Sequence, residues 1–232
     1  FASVDWPPYI SPQLPQQGYV AELLRQAYKH SGYKVELKFY PWARALQLTK
    51  TGRVVGMVPE YYDPSREKDF VYSKPFPGGD VVLLKLRDNN IFTNFDIAKQ
   101  TSQALQDLKQ YRFGVVRGYL NSPVFDQAKY LIKDEAITDE LNLRKLLYGR
   151  VDIAVMDVQV ANFLLAHPLK KHQKEVEVML PALQYKHLHA VFSRRTPNYP
   201  VLVRAFDEGL AKMLADGSLV KLLQKHNIQY DS

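Results

Sequence analysis

Arg66 stands just past the turn Asp63-Pro64-Ser65, in a stretch, 54–76, that reads VVGMVPEYYDPSREKDFVYSKPF. A guanidinium presents a planar fork of donors that matches a carboxylate two bonds at a time, so the first ligand this stretch suggests is an anionic small molecule. Two phenols, Tyr61 and Tyr62, accompany it. The run 54–58 is too short for a helix and β-branched enough for a buried parallel strand, which Pro59 is expected to end. Ligands of open α/β sheets bind at the carboxyl ends of such strands. The same stretch also suits an arginine that only caps a surface turn by pairing with Glu67 or Asp69.

Other groups with chemistry to offer lie far from this stretch in the chain. Asp5-Trp6-Pro7-Pro8-Tyr9 follows a short strand at 1–4, where two prolines forbid regular pairing and are expected to leave aromatic rings exposed. A rigid aromatic corner packed on the core explains Trp6 as well as ligand contact does. Arg44 sits in the first turn of a helix, where a cation gains nothing from the macrodipole; it pairs with a carboxylate or points to a binding site. Arg117-Gly118-Tyr119-Leu120-Asn121-Ser122 reads as a strand-to-helix turn whose backbone donors favour an anion, with Asn121 or Ser122 as cap. Asp157 stands where a strand hands over to a helix, as an N-cap or as the partner of an ammonium. His187 and His189 share a strand face, a spacing that can hold a metal, but no third ligand is near them in sequence.

These groups need a frame. Apolar periodicity predicts helices over 19–30, 42–50, 101–110, 159–166, 202–214 and 219–225, and strands at 35–39, 80–86, 111–116, 151–156 and 185–193. A further strand edge at 176–180 is expected to close at Pro181, and Pro75, Pro77, Gly78 and Gly79 to break the pattern before 80. The chain also echoes itself. ALQLTKTGRVVGMVPE, 45–60, and LRKLLYGRVDIAVMDV, 143–158, each give an apolar-faced helix, a glycine stop, an Arg-Val step and a buried strand ending at an acid. Two bodies of similar build follow.

With 232 residues, 46% of them hydrophobic, the chain can bury a core, while its longest apolar runs fall far short of the ~20 residues of a membrane span. Zero cysteines excludes disulfides, thiolate metal sites and thiol nucleophiles. The net charge of +7 is spread as singletons and pairs such as Lys170-Lys171 and Arg194-Arg195, without a reader motif, so no nucleic-acid partner is expected. Opening on Phe1-Ala2-Ser3-Val4 implies a targeting segment removed upstream, and Gln229-Tyr230-Asp231-Ser232 reads as a free terminus.

Taken in order, Trp6-Pro7-Pro8-Tyr9, Gly18 before an apolar helix, Gly52-Arg53, Ser65-Arg66, Tyr72-Ser73-Lys74-Pro75, Gly149-Arg150-Val151-Asp152 through Asp157, and Ala215-Asp216-Gly217 resemble the bacterial extracellular solute-binding proteins of family 3. The resemblance covers essentially the whole chain. It implies an α/β, type II periplasmic-binding fold, with two lobes joined by two crossing strands and a ligand cleft between them. Lobe I would be 1–84 with 190–232, and lobe II 85–189. It further implies a periplasmic monomer, free or lipid-anchored, without cofactor or catalysis, that passes an amino acid to an ABC transporter permease. By position Arg66 resembles the arginine that grips the ligand α-carboxylate and Asp157 the aspartate that takes the α-ammonium. Tyr61 resembles a backbone contact and Tyr9 a pocket ring, and Leu120 and Asn121 match the second-lobe turn. Glu60, Trp6, Arg44, Arg117 and Tyr119 complete the candidate ligand-binding set. Where the family usually has small polar residues before the arginine, this chain has Pro59, Glu60, Tyr61 and Tyr62. Two other roles remain open on the sequence: a sensor domain fused to a kinase or cyclase, and an enzyme like the cyclohexadienyl dehydratases, with Glu60 or Asp157 as acid.

Overall fold

The computed structural model describes residues 1–228; the ending read above, Gln229 to Ser232, lies outside them. In chain order the elements are β1 (Ala2–Ser3), α1 (Tyr19–Lys29), β2 (Lys38–Phe39), α2 (Trp42–Lys50), β3 (Gly56–Glu60), β4 (Phe70–Tyr72), β5 (Phe76–Leu86), α3 (Thr101–Asp107), β6 (Arg112–Val116), α4 (Pro123–Gln127), β7 (Ile132–Ala136), α5 (Asp139–Leu147), β8 (Ile153–Asp157), α6 (Val158–Ala166), β9 (Val176–Ser193), α7 (Tyr199–Ala215) and α8 (Ser218–Lys225). The chain divides into two units. The first comprises Phe1–Gly78 and the chain from His187 on, and the second is Gly79–Lys186, so β5 leads out of the first unit and β9 leads back.

In the first unit β1 pairs in parallel with β2 and β3, while the returning end of β9 runs antiparallel to β3 and β4. Helix α1 forms because Tyr19, Val20, Leu23, Leu24, Ala27 and Tyr28 recur on one face, and all are buried. That face packs on α7, with Tyr28 against Phe206 and the Ala27 backbone against Gly209. Gly209 permits the crossing: a Cβ there would stand 1.9 Å from the Ala27 carbonyl oxygen.

In the second unit β8 lies between β5, antiparallel, and β6, parallel, and β6 pairs in parallel with β7. Phe113, Phe125, Ile153, Leu83, Leu105 and Met179 belong to its core. Asn142 of α5, fully buried, donates through Nδ2 to the carbonyls of Gly114 and Val155, both at 3.2 Å, and so ties the helix to β6 and β8.

The internal echo is physical. After α2, Gly52 adopts φ +72° and the Arg53 N–H donates back to the Leu48 carbonyl; after α5, Gly149 adopts φ +65° and the Arg150 N–H donates to the Lys145 carbonyl. Both are the left-handed closure that glycine supplies without steric cost. Each is followed by a fully buried five-residue strand that ends on an acid, Glu60 or Asp157.

Several boundaries depart from the sequence reading, and prolines account for most of them. Pro59 does not end β3 but lies inside it, where the ladder with β9 shifts register between Met57 and Glu60. Such an irregularity needs one donor fewer, which a residue without N–H tolerates. Pro77 lies within β5 and Pro181 within β9, since the proline φ is compatible with extended backbone. The expected strand at 35–39 shrinks to Lys38–Phe39, and β7, an edge strand of mostly polar residues, had no apolar alternation to announce it.

Candidate functional site

In the first unit the end of β3 and the turn that follows assemble a compact charged cluster. Glu60 is buried; its Oε1 accepts from Trp42 Nε1 at 2.6 Å and its Oε2 from Arg66 Nη1 at 2.9 Å. Arg66 Nε lies 3.0 Å from Asp63 Oδ2, and the guanidinium carbon sits 5.0 Å from the Trp42 ring centroid. The arginine is therefore not a turn-closing pair with Glu67 or Asp69, as one reading had it. Asp63 Oδ1 accepts from the Ser65 N–H at 2.9 Å and so caps the 3-10 turn Pro64–Arg66. The Asp63 backbone exchanges hydrogen bonds with the Tyr72 hydroxyl. Among the described residues Arg66 Nη2 has no hydrogen-bond partner, and the side chain keeps 17% of its surface exposed.

Burial pushes the Glu60 carboxyl up to about 7; Arg66 and the Trp42 donor pull against that rise and Asp63 adds to it. With its folded pKa above the usual 4.5, Glu60 binds its proton more tightly folded than unfolded, so the stability it contributes is full below about 4.5 and is lost as pH rises through about 7. Melting temperatures of wild type and Glu60→Gln are therefore expected to diverge in favour of the variant as pH is raised from about 5 to about 8. A constant difference across that range would show that Glu60 does not titrate there.

Beside this cluster, Trp6 stacks on Tyr9 with centroids 4.7 Å apart, and Tyr61 meets Trp6 edge-on at 5.8 Å. The rings are not exposed as expected: Trp6 keeps 8% of its surface and Tyr9 none. The loop closes on itself, with the Trp6 and Ile10 backbones exchanging two hydrogen bonds around Pro7 and Pro8, and this folds Tyr9 inward. Tyr62 is exposed, donates to Glu67 Oε1 at 2.8 Å, and packs edge-on against Tyr72. Arg44 is exposed and lies over the Tyr40 ring at 5.3 Å rather than beside the cluster.

The second unit places Asp157 at the end of β8 as the N-cap of α6, its Oδ1 accepting from the Gln159 N–H at 2.8 Å and the Val160 N–H at 3.2 Å. Its side chain is buried. Ser122, not Asn121, caps α4, accepting from the Phe125 N–H at 3.2 Å. Asn121 is instead clamped by Asp126 through its backbone N–H and its Nδ2. The Leu120 carbonyl accepts from Lys186 Nζ at 3.0 Å, and Tyr119, half-buried, stands in the same turn. Arg117 is exposed and paired with Glu135 at 2.7 Å, which turns it into a surface ion pair.

Sequence reasoning missed Trp42, Asp63 and Lys186 as partners. The Asp63–Arg66 spacing was a usable signal, because three residues make one turn of the 3-10 helix that forms there. Nothing local could reveal Lys186, which lies 66 residues from Leu120. His189 Nδ1 lies 2.9 Å from the Ser73 carbonyl, and no group of three or more His, Cys, Asp or Glu among the described residues could hold a metal. Among the described residues no helix is long and apolar enough to cross a membrane.

Compared with known proteins, the chain matches the family described as bacterial extracellular solute-binding proteins, family 3, over residues 2–229. Curated proteins give no match by sequence. Similar solved structures include a histidine kinase sensor domain with similarity to periplasmic binding proteins, with TM-score 0.81, 18% identity and coverage of 97% of this chain and 93% of that one. An arginine third transport system periplasmic binding protein from Legionella pneumophila aligns with TM-score 0.77, 17% identity and 97% coverage of both chains. The GluR0 ligand-binding core from Nostoc punctiforme in complex with (L)-glutamate aligns with TM-score 0.76, 17% identity and 98% coverage of both. At these identities the likeness carries the architecture, the type II periplasmic-binding fold.

Proposed function

This chain belongs to the bacterial extracellular solute-binding proteins, family 3, and from that premise we propose that it captures a small zwitterionic solute, an amino acid, using groups from both units. Arg66 of the first unit takes the carboxylate, and Asp157 of the second takes the ammonium. Capture leads to delivery to an ABC importer in the periplasm, by a monomer that performs no chemistry on its cargo. The observation that supports this reading most directly is the state of Arg66. Its guanidinium is held on three sides by Glu60, Asp63 and the Trp42 ring, yet Nη2 has no partner among the described residues. A zwitterion loses hydration on binding, and charge-matched partners from each end offset that cost. Binding that needs both units favours whichever arrangement brings them to the ligand together, a difference a transporter can read.

Tyr61 and Tyr119 are half-buried, whereas Tyr9 is fully buried. A thermal-shift screen over the twenty L-amino acids is expected to respond most to side chains with a planar or cationic group. A response confined to small aliphatic ones would count against the aromatic wall. Asp157→Asn isolates the second contact. Asparagine caps a helix about as well as aspartate, so the melting temperature should hold while affinity for the amino acid falls at least about tenfold. Unchanged affinity in calorimetry would remove Asp157 from the site.

A second reading rests on the likeness to the histidine kinase sensor domain. In it the same capture signals to a fused kinase or cyclase rather than to an importer. A membrane-spanning segment and catalytic domain encoded downstream of Ser232 in the native gene would favour it.

A further inference from the structure

Glu60, Asp63 and Arg66 bring two acids and one base together in a largely buried space, with Glu60 at 6%, Asp63 at 14% and Arg66 at 17% side-chain exposure. With both acids ionised the cluster carries one net negative charge. The part of Arg66 open to a ligand is Nη2, while Nη1 is held by Glu60 Oε2 at 2.9 Å. A carboxylate that docks on this arginine therefore meets a single free nitrogen and two like charges close by. Like charges gathered at low dielectric cannot all remain ionised.

We propose that Glu60 is the specificity-determining partner of Arg66, taking up one proton from solvent when a carboxylate ligand binds. The balance is simple. One proton leaves water or buffer and joins Glu60 Oε2, and no other bond is made or broken. Protonation removes the charge from Oε2 and leaves it a weaker acceptor for Nη1, so the ligand carboxylate, the stronger acceptor, takes Nη1 together with Nη2 as a bidentate fork. Oε1 keeps the Trp42 hydrogen bond of 2.6 Å, so the neutral acid stays in place. The carboxyl is poised for this, since its pKa already lies near 7 without ligand. The inference rests on the reading of Arg66 as the carboxylate contact.

The other groups facing Glu60 do not substitute for it. Asp63 and Arg66 come from the following turn and Trp42 from α2. Tyr72 of β4 is pushed up by burial and stays neutral in this range. His189, opposite Glu60 on β9, is lowered by burial below its usual 6.5 and is bonded to the Ser73 carbonyl. It is therefore neutral where Glu60 titrates.

Calorimetry with the tightest-binding member of the twenty-amino-acid panel tests the idea, run at pH 8 in phosphate and in Tris, whose ionisation enthalpies differ widely. Wild type is expected to take up close to one proton per ligand bound, and its affinity to weaken about tenfold per pH unit above 7. Glu60→Gln, the isostere of the neutral acid, is expected to show no uptake, a flat affinity from pH 6 to 9 and tighter binding than wild type at pH 8. Should that variant fail to fold, Trp42→Phe removes the donor that favours the carboxylate, and the midpoint should move to higher pH. His189→Asn should leave the uptake intact. Buffer-independent heats and a flat wild-type profile, with Arg66→Ala still losing the ligand, overturn the proton step alone. Full binding by Arg66→Ala, or no binder in the panel, overturns the parent reading and this inference with it.

Discussion

Arg66→Ala is expected to weaken amino-acid binding by at least about 2 kcal/mol, roughly thirtyfold in dissociation constant, because the carboxylate loses its charged donor while still shedding water. The same change acts on the protein itself. Glu60, buried, would keep only the Trp42 donor, and Asp63 would lose its contact at 3.0 Å. Removing one partner of a buried pair is costly because the other charge remains. Here the cost is limited below pH 7, since Glu60 can take a proton. The variant should therefore be close to wild type in melting temperature at pH 6 and clearly less stable at pH 8.5. Arg66→Ala combined with Glu60→Gln separates the two effects. The double variant should regain stability at high pH without regaining affinity. If calorimetry finds the affinity of Arg66→Ala undiminished, this arginine is a structural tie and nothing more.

Gly209→Ala should be among the most damaging single methyl additions in the first unit. On propensity alone it would help, since alanine favours a helix interior over glycine by about 1 kcal/mol. The new Cβ, however, would stand 1.9 Å from the Ala27 carbonyl oxygen and 2.5 Å from its carbon, both backbone atoms of α1. Backbone inside a packed helix cannot step aside as a side-chain tip can, so α1 and α7 must separate. That loosens contacts around Phe206, Leu24 and Tyr28, all essentially buried. Overpacking of this kind costs about 3 kcal/mol, which for a chain of this size lowers the melting temperature by about 10 °C. A melting temperature within a degree or two of wild type in calorimetric scans would show that the helices have room to spare. Affinity measured well below the melting point should change little, because neither helix carries a residue of the charged cluster.

These outcomes also mark how far the linear chain reaches. The starts of α1 and α2, the glycine closures at Gly52 and Gly149, and the paired strands that end on Glu60 and Asp157 were all legible in it. Each depends on near neighbours: an apolar stripe of helical period, a residue free to turn left-handed, a short β-branched run. The capping role of Asp157 was legible for the same reason, since its partners are the N–H groups two and three residues on. Even the proximity of Asp63 to Arg66 was implicit in one turn of chain.

What only the tertiary structure decided was where restrictive residues are tolerated and which charges meet. Pro59 and Pro181 read as strand ends because a missing N–H breaks a ladder, but whether that N–H is needed depends on the register of the neighbouring strand. Tyr9 read as an exposed ring because two prolines precede it, and the closure of Trp6 on Ile10 turned it into the core. Arg66 had four acids within reach along the chain. The irregularity in β3 carries Glu60, and the packing of α2 carries Trp42, to the guanidinium. Spacing along a polymer determines local geometry, whereas the partner of a buried charge is chosen by segments that meet only after the chain has folded.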